Sequence, residues 1–140
     1  MNQQQAETIA AELIRFIETG VAADGLFSSR VFCDFTSPRW REQCEGIDSL
    51  VALRRRGHPG PSRVPRFRCD PTPTGFVLEI EEEWEGESKG EGETEAWYCR
   101  ELFRADIAVG KIAAISVYCT GDWDRERRAE HAREVRLLRP

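Results

Sequence analysis

Two carboxylates, Glu82 and Glu101, stand where strand alternation calls for apolar side chains. The runs Phe76 to Glu85 and Thr94 to Arg104 alternate with a period of two and flank a tip at Gly86 to Glu93, the pattern of a long antiparallel hairpin. A tip centred between Lys89 and Gly90 sets Glu79 opposite Arg100 and Glu81 opposite Tyr98, on a charged face that also carries Glu83. The other face pairs Phe76 with Phe103, Leu78 with Glu101, Ile80 with Cys99 and Glu82 with Trp97. A carboxyl on that apolar face loses hydration and is pushed toward its neutral form, which suits a hydrogen-bond donor or a general acid. The alternative for Glu101 is a buried ion pair with Arg104 or with an N-terminal Arg. Glu82 is expected at the rim, near Trp84 and Trp97.

Other chemistry-bearing residues carry weaker patterns. Trp40, Trp97 and Trp123 could line a pocket for a flat apolar ligand, or could be plain core, so at most two of them are expected to touch a ligand. His58 lies between Gly57 and Pro59 and reads as a surface loop residue. Arg54, Arg55 and Arg56, followed by Arg63, Arg66 and Arg68, read as a helix end and an exposed strand edge, since cations favour a helix C-terminus. Gly86, Gly90 and Gly92 lack the strand-to-helix context of a phosphate loop. The five cysteines, Cys33, Cys44, Cys69, Cys99 and Cys119, are odd in number with no C-x-x-C pair, so they read as free, buried thiols. With only His58 and His131 besides, no metal site is expected.

The bulk properties set the class. At 140 residues the chain fits one domain spanning residues 1–140 and can bury roughly two thirds of its unfolded surface. Its 40% hydrophobic content, with four Trp and seven Phe, is that of a globular protein. A net charge of −5 argues against nucleic acid as a partner, because such affinity rests on neutralising phosphates. No apolar run approaches the ~20 residues that span a bilayer, and Met1 to Gln5 lacks the basic and apolar regions of a signal peptide, so the expected compartment is the cytoplasm, with no membrane partner.

These residues need elements to place them. Ile9, Leu13, Phe16 and Ile17 fall at helical spacing, with Gly20 as a stop. Ala22 to Phe27 reads as a short helical turn, Val31 to Phe35 as a strand ended by Ser37-Pro38, and Ile47, Leu50, Val51 and Leu53 as a second amphipathic helix. Strands follow at Val64 to Cys69, along the two hairpin arms, and at Ile112 to Cys119. The tail Arg125 to Glu134 is helical in pattern, with Asp124 as its N-cap.

Helix, short helix, strand, helix, then four strands resembles the nuclear transport factor 2-like superfamily, whose branches include SnoaL-like polyketide cyclases, ketosteroid isomerases, scytalone dehydratase and limonene epoxide hydrolase. The local marks are the first helix, Glu45-Gly46-Ile47 at the next long helix and Gly110-Lys111-Ile112 before the last strand, and the ending from Tyr118 to Trp123 is similar to an actinobacterial branch. The resemblance implies an α+β fold, a curved antiparallel sheet with N-terminal helices enclosing a cone-shaped pocket, and a homodimer formed through the outer sheet face. It also implies a catalytic base at Asp34, in the place where ketosteroid isomerases carry theirs; a pairing of Asp34 with Arg66 or Arg68 is the alternative. Glu101 loosely matches the protonated acid of those enzymes, standing three residues before Arg104. Phe16 replaces their oxyanion Tyr, a departure that argues against steroid-type isomerisation. The expected function is cofactor-independent acid–base isomerisation, cyclisation or dehydration of an apolar, polyketide-like metabolite, with Phe16, Trp40, Glu82, Trp97, Phe103 and Trp123 around it. The alternative is a non-catalytic module that binds a small hydrophobic molecule or serves in dimerisation.

Overall fold

The computed structural model describes residues 1–87, 92 and 94–139. The chain opens with helix α1 (Gln3–Thr19), started by an Asn2 capping box with Gln5 and ended by Gly20 in the left-handed region (φ 71°), whose N–H bonds the Phe16 carbonyl at 2.7 Å. Ala6, Ala10, Leu13, Phe16 and Ile17 recur at helical spacing and form its buried face. Strand β1 (Phe27–Thr36), strand β2 (Arg41–Glu45) and helix α2 (Ile47–Gly57) follow, then β3 (Ser62–Pro71), β4 (Gly75–Glu87), β5 (Thr94–Ala108), β6 (Lys111–Cys119) and helix α3 (Arg125–Glu134). None of the described helices is long and apolar enough to cross a membrane.

The six strands form one sheet in the order β2-β1-β6-β5-β4-β3. The architecture is the expected α+β with a curved sheet, but the sheet is mixed, because β1 runs parallel to β6 and every other neighbour pair is antiparallel. Register shifts between Phe27 and Phe32, Arg63 and Arg66, and Asp106 and Ile107 break the ladders, and irregularities of that kind let a sheet bend. At Gly75 two strands approach so closely that a Cβ would lie 1.9 Å from the Ala105 carbonyl oxygen. The concave face meets α1 and α2, and the core between them includes Leu13, Phe76, Leu78, Ile80, Phe103 and Val117. Each such side chain contributes about 1.5–3 kcal/mol on burial.

Three sequence readings are corrected here. Ala22 to Phe27 forms a turn at Asp24–Leu26 rather than a helical turn. The short, polar β2 was not anticipated. The β4–β5 register is shifted by two residues: Glu101 faces Ile80 rather than Leu78, Cys99 faces Glu82 rather than Ile80, and Trp97 faces Trp84. A shift of two keeps every side chain on its expected face, because the pleat repeats every two residues. Glu79 still ion-pairs with Arg100, now as a diagonal neighbour, and the Tyr98 hydroxyl donates to Glu81 at 2.9 Å in the same way. The expected tip at Lys89 and Gly90 lies outside the described residues.

Candidate functional site

Between the concave face of the sheet and the two N-terminal helices lies a cavity of about 660 Å³, walled by Phe16, Phe27, Phe35, Leu50, Phe103 and Val117. Glu101 breaks this apolar wall. It lines the cavity, yet it is only 6% exposed. Behind it lies Glu82, fully buried and diagonal to Glu101 across the β4–β5 ladder.

The last turn of α2 supplies their counter-charges. Arg54 and His58 are four residues apart and therefore share one helix face, turned inward over the two acids. The Arg54 guanidinium binds the Glu82 carboxylate, the Ile17 carbonyl at 2.5 Å and Ser62 Oγ at 3.2 Å. His58 bridges inward and outward: its Nδ1 lies 3.2 Å from Glu82 Oε2 and its Nε2 lies 3.2 Å from Asp122 Oδ1. The ring packs on Trp84 with centroids 4.0 Å apart. Among the described residues, no buried side-chain nitrogen or oxygen lacks a hydrogen-bond partner.

These contacts split the acidities of neighbouring groups. Burial favours the neutral form of both acids. For Glu101, burial is the largest effect, and the hydrogen bond to Glu82 and the Glu82 charge add to it, so its carboxyl is raised well above the ordinary range. For Glu82, burial is overcome by hydrogen bonds from His58 and Glu101 and by the charges of His58 and Arg54, which hold it well below that range. For His58, burial and Arg54 oppose the charge, but hydrogen bonds to Asp122 and Glu82 prevail and push it up to about 9. The arrangement favours the protonated form of the acid facing the cavity and the ionised form of the one behind it, with His58, which Arg54 also contacts at Nδ1, at their side.

Asp34 is elsewhere. Its neighbours Cys33 and Phe35 point into the cavity, so Asp34 points out on the opposite face of β1. There β2 delivers Arg41, which grips it through two bonds of 3.0 and 2.7 Å, and this pairing lowers its pKa. Asp34, expected as a base, is therefore not on the cavity wall, and its partner is Arg41, not Arg66 or Arg68. Glu101 does not pair with Arg104, which reaches Asp106 at 4.0 Å. Glu82 is not at a rim but at the centre of the buried cluster. Phe16 and Phe103 line the cavity as expected, and Trp40 stands at its mouth, 62% exposed. Trp97 lies opposite Trp84 and is not on the cavity wall, and Trp123 bridges to Tyr98 on the outer face, with ring centroids 5.8 Å apart.

Sequence reasoning missed Arg54, His58 and Asp122. A signal for the first two existed, since both continue the inward stripe of α2 set by Leu50. The cysteines are free, and Cys119 lines the cavity. The donors of Cys99, Cys119 and Asp122 lie within 4.8 Å of one another, as do those of His58, Glu82 and Cys99. In the second group Arg54 already gives Glu82 the positive charge that a metal ion would bring.

No family model matches the sequence, and no curated protein matches it. Solved structures do match. A phenazine biosynthesis-related protein from Pseudomonas aeruginosa superposes with a TM-score of 0.62 at 11% identity, over 98% of this chain and 93% of the other. An NTF-2 like protein of unknown function from Burkholderia xenovorans LB400 gives 0.52 at 17%, over 99% of each chain. A protein with a ketosteroid isomerase-like fold from Catenulispora acidiphila DSM 44928, in complex with trimethylamine, gives 0.52 at 13%, over 80% of this chain and 85% of the other. At these identities the likeness speaks for architecture, and the fold of this chain is the nuclear transport factor 2-like fold.

Proposed function

We propose that the chain is a pocket enzyme that carries out cofactor-independent acid–base chemistry on an apolar carbonyl compound, of the isomerase, cyclase or dehydratase type. The observation that carries this reading is the buried Glu101 carboxyl on the cavity wall beside Phe103 and Val117, where burial and the neighbouring Glu82 raise its pKa well above the ordinary range. A neutral acid there can donate a hydrogen bond, and then a proton, to a carbonyl oxygen as charge develops on it. Asp122 also lines the cavity, is 44% exposed, and is oriented by His58, which makes it the candidate base for the proton lost from carbon. Glu82 lies behind the cavity wall and Arg54 stands on it, bound to Glu82; both act by positioning and by favouring the protonated form of Glu101. The similarity to a phenazine biosynthesis-related protein supports a role in small-molecule metabolism.

The same reading includes a homodimer through the outer sheet face, where Phe32, Leu102 and Tyr118 are exposed, and a cytoplasmic location in keeping with five free thiols. The test of function uses tetralone, an apolar ketone with acidic α-hydrogens. In D₂O the wild type exchanges those hydrogens faster than buffer, Glu101→Gln and Asp122→Asn do not, and Asp34→Asn does. Tetralone that binds without exchange refutes catalysis and leaves a binding pocket.

A further inference from the structure

The mouth of the cavity is chemically unlike its interior. It is bounded by the turn between β1 and β2, the end of α2, and the segment from the end of β6 into α3. Each of these boundaries contributes an arginine: Arg39, Arg56 and Arg127. Two acids stand among them, and both are engaged, Glu42 with Arg56 at 3.8 Å and Asp122 with His58 at 3.2 Å. Arg39 and Arg127 make no ion pair among the described residues. Each instead lies over an indole, Arg39 5.2 Å from the Trp40 ring centre and Arg127 4.9 Å from that of Trp123. A ring face holds a guanidinium in place without neutralising it, so its outer donors stay available.

This concentration of cations runs against the composition. The chain carries 25 acidic side chains against 20 basic ones. In an acidic protein, arginines without an ion-pair partner at the entrance to this cavity would favour the entry of an anion.

We infer that the ligand of this cavity is an amphipathic organic anion, with its apolar body in the cavity and a carboxylate or similar anionic group at the mouth between Arg39 and Arg127. The inference rests on the pocket reading and adds the substrate class. It also fixes orientation: the anionic end faces solvent, and the end that meets Glu101 is uncharged. At the deep end Arg54 and His58 are already bonded to Glu82, so a carboxylate there would find both cations engaged.

The test is calorimetric titration with naphthylacetate and its neutral isostere naphthylacetamide. The wild type binds the carboxylate about tenfold more tightly, the effect of one charge-assisted hydrogen bond, and the preference shrinks as ionic strength rises. In Arg39→Gln/Arg127→Gln the two probes bind alike, while affinity for the amide and the melting temperature are those of the wild type. Equal binding of both probes by the wild type, or a preference that survives in the double variant, overturns the anionic class and leaves the pocket reading intact. Binding of neither overturns both.

Discussion

Replacing Glu101 by Gln removes one titrating proton and little else, which makes it the sharpest perturbation of the site. The folded carboxyl has its pKa raised above the ~4.3 of a free Glu. Its contribution to stability is therefore complete below about pH 4.3 and is lost as pH rises toward the folded value, at about 1.4 kcal/mol per pH unit. The Gln variant has nothing to lose over that interval. Its amide can still donate to Glu82, but its second N–H enters an apolar cavity, at a cost of about 1 kcal/mol. The variant should thus be slightly less stable than wild type near pH 4.3 and should overtake it as pH rises. Urea unfolding of both proteins from about pH 5 to about pH 8 reads the difference directly. The titration of His58 is common to both and cancels. Parallel stability curves, with the variant weaker by a constant ~3 kcal/mol or more, would show instead that Glu101 is ionised and paired with Arg54. That result would refute the neutral acid.

His58 has the same sign for a different reason. Its pKa is raised from 6.5 to about 9, so it should lower wild-type stability by about 3 kcal/mol as pH rises through that window, and His58→Gln should remove this part of the decline in urea melts. Arg54→Met leaves the Glu82 carboxylate buried without its guanidinium partner and should cost about 3–5 kcal/mol at neutral pH, measured by the same melts. Asp34→Asn touches only an exposed pairing on the outer face, so the melting temperature and naphthylacetate affinity should match wild type; a loss of binding would return Asp34 to the site. Light scattering should give twice the 16.0 kDa chain mass, and a monomer mass at micromolar concentration would refute the dimer.

The architecture was legible because it rests on periodicity. Alternation along β4 and β5 identified the two faces, and the two acids that violated it proved to be the two at the centre of the cluster. The register was not legible, since adding or removing two residues at the hairpin tip leaves every face unchanged, so the pattern has no preference between them. His58 was hidden by its flanks: Gly57 and Pro59 do end the helix, but the end is packed against Trp84 rather than exposed to water. Asp34 misled because its neutraliser comes from β2, five residues that include Arg41, Glu42, Gln43 and Glu45 and show no apolar alternation. A carboxylate's role depends on which cation reaches it, and that is fixed by strand pairing that residue types do not encode.

The buried cluster makes best sense as a device for choosing which carboxyl keeps a proton. Two adjacent buried acids cannot both ionise cheaply, so one must stay neutral. Left alone, the acid nearer solvent would ionise. Here the cations are placed on the deeper one: Arg54 and His58 both contact Glu82 and neither bonds Glu101. The ionised charge is thereby locked behind the wall, and the cavity is presented with a neutral donor. Stability alone does not explain the arrangement, because well-packed apolar residues of similar volume serve a core as well as a buried ion pair does or better. The mutual attraction of Glu82, Arg54 and His58 offsets their desolvation, and a further consequence is that Glu101 beside them keeps its proton more readily. A residue held neutral against its ordinary acidity, at the surface of a cavity large enough for a metabolite, is what a proton donor to a developing oxyanion requires.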